Sequence, residues 1–272
     1  MENESKKNGV TGGDINVGCL MLTLAVPDRL PFAKRSIDDY CRQTLANKVL
    51  FLIINGGTES VQKELREYAE SLGRDDIRVF TLPAGMNLGQ LRNYSLKIAA
   101  GDVLCQWDDD DLYHPDRLEK QLARLVEGSF EAVYLQEIMQ YFPFAKTLYW
   151  TNWRGTEAGG HPGTLMFRRE VLVKYPTQGG EAHLGEDLQV ARDLIARGKV
   201  GYLAGMPHLF VYVSHGKNSW HDGHHQMLAD KLSISQALLR RREAQIREGL
   251  APHEFTRDSV SLLGSNGLAF TL

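Results

Sequence analysis

The sequence predicts an α/β fold, a mainly parallel sheet flanked by helices. Three observations carry this. Strand-length apolar runs recur through the first half of the chain, each run but the fourth is followed by a helical pattern or a short connection to the next run, and the fourth run ends in four consecutive aspartates. Alternation of this kind covers both faces of a parallel sheet with helices. The chain has 272 residues, 43% of them apolar and 24% charged, with a mean hydropathy of −0.31. This is ordinary globular composition, a poor fit to collagen, to a disordered tail or to an integral membrane protein.

Residues 1–14 (MENESKKNGVTGGD) are polar where a signal peptide would be apolar, and they read as a flexible tail. Residues 17–25 (VGCLMLTLA) form the first strand. Residues 31–44 follow as a helix with Pro31 in its first turn. Residues 49–55 (VLFLIIN) make a second strand closed by Gly56 and Gly57, and residues 59–72 a helix stopped by Gly73. Residues 77–82 read as a third strand, 87–100 as a third helix ending at Gly101, and 103–107 (VLCQW) as a fourth strand. Ligands bind beyond the carboxyl ends of strands in such sheets, so residues 25–29, 55–58 and 108–111 share one rim.

The second half is less regular. His114-Pro115 opens a helix through about Glu127, residues 132–138 form a strand, and 147–160 suit an aromatic loop or hairpin. Residues 186–197 are a helix with two carboxylates in its first turn, 201–203 and 209–213 are strands, and 225–247 carry one long helical pattern.

Thirty-one basic against 34 acidic residues leave a net charge of −3, the wrong bias for gripping nucleic acid non-specifically. Cys19, Cys41 and Cys105 form no C-x-x-C pair and lie in or beside apolar segments. They read as buried thiols of a reducing, cytoplasmic setting. No stretch approaches the ~20 apolar residues of a membrane span.

Asp108-Asp109-Asp110-Asp111 is the most informative tetrapeptide. Two carboxylates ~4 Å apart repel by ~4 kcal/mol at an effective dielectric of ~20, so the cluster needs a cation or hydrogen-bond donors. Strand alternation would send Asp108 and Asp110 to one side, where they suit a hard divalent ion. The alternative is a solvated acidic turn capping the next helix; the position at the ligand-binding end of a sheet favours metal.

The order of these segments, with N-G-G-T at residues 55–58, N-L-G-x-x-R-N at 87–93, the run from Ala100-Gly101-Asp102 through Trp107, the aspartates, Pro115 and Leu118, and Gly185-Glu186-Asp187, resembles the family 2 glycosyltransferases. That resemblance implies a GT-A fold. It also implies transfer of a sugar from a nucleoside-diphosphate sugar, a UDP-sugar foremost, to a carbohydrate or other acceptor hydroxyl, with inversion and with Mn²⁺ or Mg²⁺ on the diphosphate. Asp108 and Asp110 would be the D-x-D pair, with Asp110 the direct metal ligand, Asp108 close to the ribose or metal, Asp109 on the donor and Asp111 supporting the shell, and Asp187 would be the catalytic base. An acid near a helix N-terminus stays ionised through the macrodipole, which suits a base and equally a helix-stabilising acid. Glu186 would help position the acceptor, and His215 would join the metal or diphosphate; on chemistry alone a loop histidine is as readily solvated.

Ala25 and Arg29 stand where the family has its first donor-binding turn, and Asn55 where it has an aspartate. An asparagine carbonyl still accepts a base N–H. Arg92 reads as a phosphate or aspartate partner, or as a helix-surface cation. Tyr149, Trp150 and Trp153 offer a stacking floor for a sugar, or packing. His221, His224 and His225 read as a surface cluster rather than a zinc site. Arg240-Arg241-Arg242 suits either an anionic membrane surface or a solvated helix end, and self-association stays open.

The expected organisation is a tail (1–14), a GT-A domain (15–222) with a nucleotide-sugar half (15–115) and an acceptor half (116–222), and a C-terminal helical extension (223–272). The competing readings are a decayed nucleotide-sugar-binding module and a metal-dependent nucleotidyltransferase. The latter normally needs a glycine-rich, basic triphosphate loop that residues 25–29 lack.

Overall fold

The computed structural model describes residues 15–257 and 259–272; the expected tail at 1–14 lies outside them. Two sheets make up the molecule. The first has seven strands. Val17–Ala25 (β1), Lys48–Gly57 (β2), Ile77–Leu82 (β3) and Val103–Asp108 (β4) run parallel in the order β4-β1-β2-β3. Leu30–Cys41 (α1), Glu59–Ser71 (α2) and Leu88–Ile98 (α3) connect them. All seven elements fall where the apolar periodicity places them.

Side chains of β1 alternate between the two faces. Val17, Cys19 and Met21 enter one apolar layer with Ile37 of α1, Leu65 of α2 and Leu118, Leu122 and Leu125 of the helix Arg117–Glu127 (α4). Leu20 enters the other, with Val190, Ala191 and Leu194 of the helix Glu186–Ala196 (α5). Burial on both faces explains why the strand reads as an uninterrupted apolar run.

Glycine is required where the rim closes. Gly57 has φ +81°, and a Cβ there would stand 1.9 Å from the Ala25 carbonyl oxygen, so only glycine lets Thr58 N–H reach that oxygen at 2.9 Å. Gly89 is similar: its Cβ would meet the Pro176 carbonyl oxygen at 1.8 Å.

The second sheet was not foreseen. The chain leaves the first sheet at Asp108, and Leu112–Tyr113 (β5) already pairs in the second. After α4, Ala132–Leu135 (β6) belongs to the first sheet and Glu137–Phe142 (β7) to the second, so the single strand expected at 132–138 is two. Thr147–Asn152 (β8) pairs antiparallel with β7. The chain then returns to the first sheet as Met166–Arg168 (β9), inserted antiparallel between β4 and β6. Val200–Leu203 (β10) edges the first sheet and Phe210–Val213 (β11) joins the second between β5 and β7.

The long helix expected at 225–247 is three helices: Asp222–Leu232 (α6), Gln236–Arg241 (α7) and Glu243–Leu250 (α8). Ser233 turns extended and Ser235 caps α7 by accepting from Leu238 N–H, the local competition that serine offers a helix. Nor is the C-terminal segment wholly helical. Ser261–Gly264 (β12) pairs parallel with β8, and Gly267–Thr271 (β13) completes the hairpin. This sheet packs against α7 and α8 through Leu239, Ile246 and Leu250. Among the described residues no helix is long and apolar enough to cross a membrane. Cys19 and Cys105 are buried free thiols and Cys41 is half-buried.

Candidate active site

The aspartates sit where the chain crosses from one sheet to the other. The strand ends at Asp108, and the bend that follows defeats simple alternation: Asp109 and Asp110 converge on one guanidinium. Arg29, in the turn after β1, bonds Asp109 through both Nε (3.1 Å to Oδ2) and Nη2, and reaches Asp110 Oδ2 at 3.1 Å. Thr23 Oγ1 donates to Asp109 Oδ2 at 2.6 Å. Arg92 Nη2 donates to Asp108 Oδ1 at 2.8 Å, and Gln106 Nε2 to its Oδ2 at 3.2 Å. Asp111 Oδ1 accepts Val213 N–H at 2.9 Å. The expected repulsion is met by built-in donors rather than left to solvent.

β11 delivers His215 to the cluster. Its Nδ1 accepts Lys217 N–H at 3.3 Å, leaving Nε2–H to donate to Asp110 Oδ2 at 3.0 Å. Phe32 stacks on the ring at 4.8 Å. His215 is therefore a hydrogen-bond partner of Asp110 in this arrangement.

These contacts split the aspartates. Burial and then the Asp110 charge push Asp109 up to about 6 despite Arg29. Burial also works against the Asp110 charge, but His215 and Arg29 outweigh it and lower the pKa. Asp111 is raised well above the ordinary carboxylate range by burial and by Asp110 and Asp108.

Arg92 is buried, so it is no helix-surface cation. Besides Asp108 it approaches Glu186 Oε1 at 3.5 Å, and its Nη1 has no partner among the described residues. Four neighbours in the same motif fix its position. Asn87 and Gln90 form a capping box at the start of α3, Gly89 permits close approach to Pro176, and Asn93 bonds both the N–H and the carbonyl of Tyr175. Glu186 and Asp187 open α5 after Gly185, which holds φ +85°. The macrodipole was expected to keep Asp187 ionised. Burial overrides it, with the adjacent Glu186 charge second, and pushes Asp187 up to about 7 against the pull of Arg92.

Two cavities meet here. A cleft of about 180 Å³ is lined by Arg29, Arg92, Asp108, Asp109, Asp110, Asp111, Glu186 and Asp187. Beside it lies a more apolar chamber of about 370 Å³, walled by Trp153, Tyr212, Trp220, His224 and His225 and reached by Asp187. That volume lies in the small-ligand range. Of the three aromatics expected as a stacking floor, Trp153 lines the chamber, whereas Tyr149 and Trp150 are buried in packing. His221 caps α6.

Ala25 and Asn55 lie on the same rim but outside the cleft lining; Asn55 Oδ1 is buried with no partner among the described residues. The sequence reading missed His161, which lines both cavities. Its signal was a histidine between Gly159-Gly160, which allow close backbone approach, and Pro162-Gly163, whose proline fixes a turn.

Known proteins share this architecture. The chain is 17% identical to the mannosyltransferase PcManGT from Pyrobaculum calidifontis, solved in complex with GDP-Man and Mn²⁺, with a TM-score of 0.58 over 90% of this chain and 65% of that one. It is 13% identical to S. aureus TarS 1-349 in complex with UDP, with a TM-score of 0.57 over 90% and 75%. In sequence it is 30% identical over 149 residues to the O-antigen biosynthesis glycosyltransferase WbnJ of Escherichia coli. That stretch is 51% of this chain, and it spans 57% of the relative's length. The fold is GT-A. With residues 28–175 matching the model of Glycosyl transferase family 2, more than half its length, the chain belongs to that family.

Proposed function

We propose that this protein is a metal-dependent, inverting glycosyltransferase that passes a sugar from a nucleoside-diphosphate donor to an acceptor hydroxyl. One observation carries the reading: the aspartate cluster and Asp187 line the same cleft, and Asp187 alone among the carboxylates of that cleft also faces the aromatic chamber. The donor's diphosphate belongs at the aspartates, the acceptor in the chamber. Ionised Asp187 takes the proton of the acceptor hydroxyl while its oxygen attacks the anomeric carbon. The bond to the diphosphate breaks on the opposite face, and its electron pair leaves with the nucleotide.

The donor set fits a hard divalent ion in kind. Asp108 and Asp110 offer oxygens, and Asp110 Oδ1 has no protein partner among the described residues, the chemistry of Mg²⁺ and Mn²⁺. In the present arrangement no described group of three or more His, Cys, Asp or Glu side chains is set to hold one, and Arg29 and His215 both engage Asp110 Oδ2. An ion on Asp110 Oδ2 as well would need Arg29 to leave it, and two oxygens of a phosphate are a matching bidentate partner for that guanidinium. When bound, the ion would neutralise charge on the departing diphosphate. The Mn²⁺, GDP-Man and UDP in the solved relatives support this donor class.

Calorimetry with UDP- and GDP-sugars, with and without Mn²⁺, tests it. Wild type should bind one donor with the ion, and Asp110→Ala should abolish that Mn²⁺-dependent binding. Equal affinity with and without the ion would remove the metal clamp, and a retained anomeric configuration in the product by NMR would remove inversion.

A further inference from the structure

His161, Gly185, Asp187, Tyr212 and Trp220 line both the charged cleft and the aromatic chamber. If a diphosphate sits at the aspartates and Asp187 deprotonates the acceptor, the transferred sugar occupies this seam. Tyr212 is already engaged, its hydroxyl 3.4 Å from His225 Nε2. The His161 ring is not: no hydrogen bond among the described residues reaches it, and Nδ1 is sealed from solvent without a partner.

The ring is nonetheless firmly placed. Its backbone N–H donates to the Leu135 carbonyl at 2.9 Å and its carbonyl accepts Thr164 Oγ1 at 2.7 Å. Trp153, Phe210 and Tyr212 surround the imidazole, with centroids 4.6, 5.4 and 5.3 Å away. Gly163 keeps the space beside it clear. A Cβ there would lie 3.2 Å from His161 Cε1 and 3.3 Å from Asp108 Oδ2, intruding between the imidazole and the carboxylate.

Burial above all, with the nearby His225 imidazole and Arg117 guanidinium adding to it, pushes His161 down to about 3, so the ring is neutral and carries one N–H. On Nδ1 that proton would be a buried donor with nothing to bond, costlier than a bare lone pair. The proton resides on Nε2, the nitrogen left for the cavities.

We propose that His161 is a specificity-determining residue that donates a hydrogen bond from Nε2 to a hydroxyl of the transferred sugar. This rests on the glycosyltransferase reading. It predicts that His161 senses the sugar of the donor and ignores its nucleotide. Calorimetry with Mn²⁺ would compare UDP with UDP-glucose, UDP-galactose and UDP-GlcNAc, and GDP with GDP-mannose, on wild type, His161→Phe and His161→Gln.

The expected result is unchanged affinity for the free nucleotide in all three proteins. The preferred sugar nucleotide should bind about three- to tenfold more weakly to His161→Phe, with part of the loss recovered in His161→Gln, whose amide N–H can replace the donor. Equal weakening of nucleotide and sugar nucleotide would mean that His161 only supports the fold, and undiminished sugar-nucleotide binding would mean that it makes no such contact; either overturns the proposal. Failure of wild type to bind any of these nucleotides would instead sink the donor reading, and the role of His161 with it.

Discussion

The cleft and the chamber are neighbours with opposite electrostatics. In the cleft each aspartate of the D-D-D-D run is answered by a donor: Arg29 and Thr23 for Asp109, His215 and Arg29 for Asp110, Arg92 and Gln106 for Asp108, and the Val213 amide for Asp111. In the chamber the titratable rings are uncharged. Burial is the first cause that lowers the pKa of His161, His224 and His225, and a neighbouring imidazole adds to it in each case. Asp187 stands on the border and is pushed up to about 7. A carboxylate on that border can bind a proton near neutrality, as a base must, whereas the paired Asp110 cannot. The difference is set by what surrounds each acid.

The largest effect that would break this contrast is on Asp187. Asp187→Asn should lower transfer by about 10²- to 10⁴-fold while donor affinity stays within about twofold, measured by turnover and calorimetry on the same preparation. Stability supplies an independent reading. The folded pKa lies above the unfolded carboxylate value, so the wild-type charge destabilises progressively as pH rises from about 4 through about 7. Asp187→Asn should therefore melt higher than wild type at pH 8, and the gain should vanish toward pH 4. Full turnover by the variant would remove Asp187 from the chemistry, and a pH-independent melting difference would contradict its burial.

A smaller effect concerns Glu186. Its charge raises the Asp187 pKa, so kcat/KM in wild type should climb with pH to a plateau above about 7, and Glu186→Gln should move that midpoint downward. An upward or absent shift would mean that burial alone sets the value. Next is Gly89→Ala. A Cβ 1.8 Å from the Pro176 carbonyl forces α3 away from the segment before α5, at a cost of roughly 1–3 kcal/mol. Because Arg92 rides on α3, nucleotide-sugar affinity should fall along with Tm; a lower Tm with intact affinity would separate the helix from the cleft.

The same division marks what the sequence disclosed. β1 coincides with the expected run because it is buried on both faces, and β3, a half-buried edge strand, because its apolar Ile77, Val79, Phe80 and Leu82 stand between a glycine stop at Gly73 and the Asn87 cap. The D-D-D-D run and G-E-D were legible as local patterns. The chamber was not: it is assembled from residues such as Trp153, His161, Tyr212 and Trp220, drawn from four separate segments, and from a second sheet whose neighbours β12 and β8 lie more than a hundred residues apart. No periodicity signals such a pairing. Arg29 was legible only as a donor-side arginine; its grip on two aspartates 80 and 81 positions away is a tertiary fact. The macrodipole at the start of α5, worth about 0.3–1 kcal/mol, is outweighed at Asp187 by burial, which no local pattern reveals.

The smallest predicted effect tests whether the cleft side is as self-determined as its legibility implies. Asn87 caps α3 by accepting Gln90 N–H at 2.9 Å, and its Nδ2 also donates to the Thr177 carbonyl at 3.0 Å. Asn87→Ala removes both and should cost about 1 kcal/mol, typical of a lost cap, or roughly 2–4 °C in Tm for a chain of this size. Donor affinity should stay within about twofold, because Gly89 and the two Asn93 bonds to Tyr175 still hold α3 in place and Arg92 with it. A tenfold loss of affinity would show that the cap positions Arg92 directly. The cleft would then depend on long-range ties much as the chamber does, and the contrast between the two would narrow.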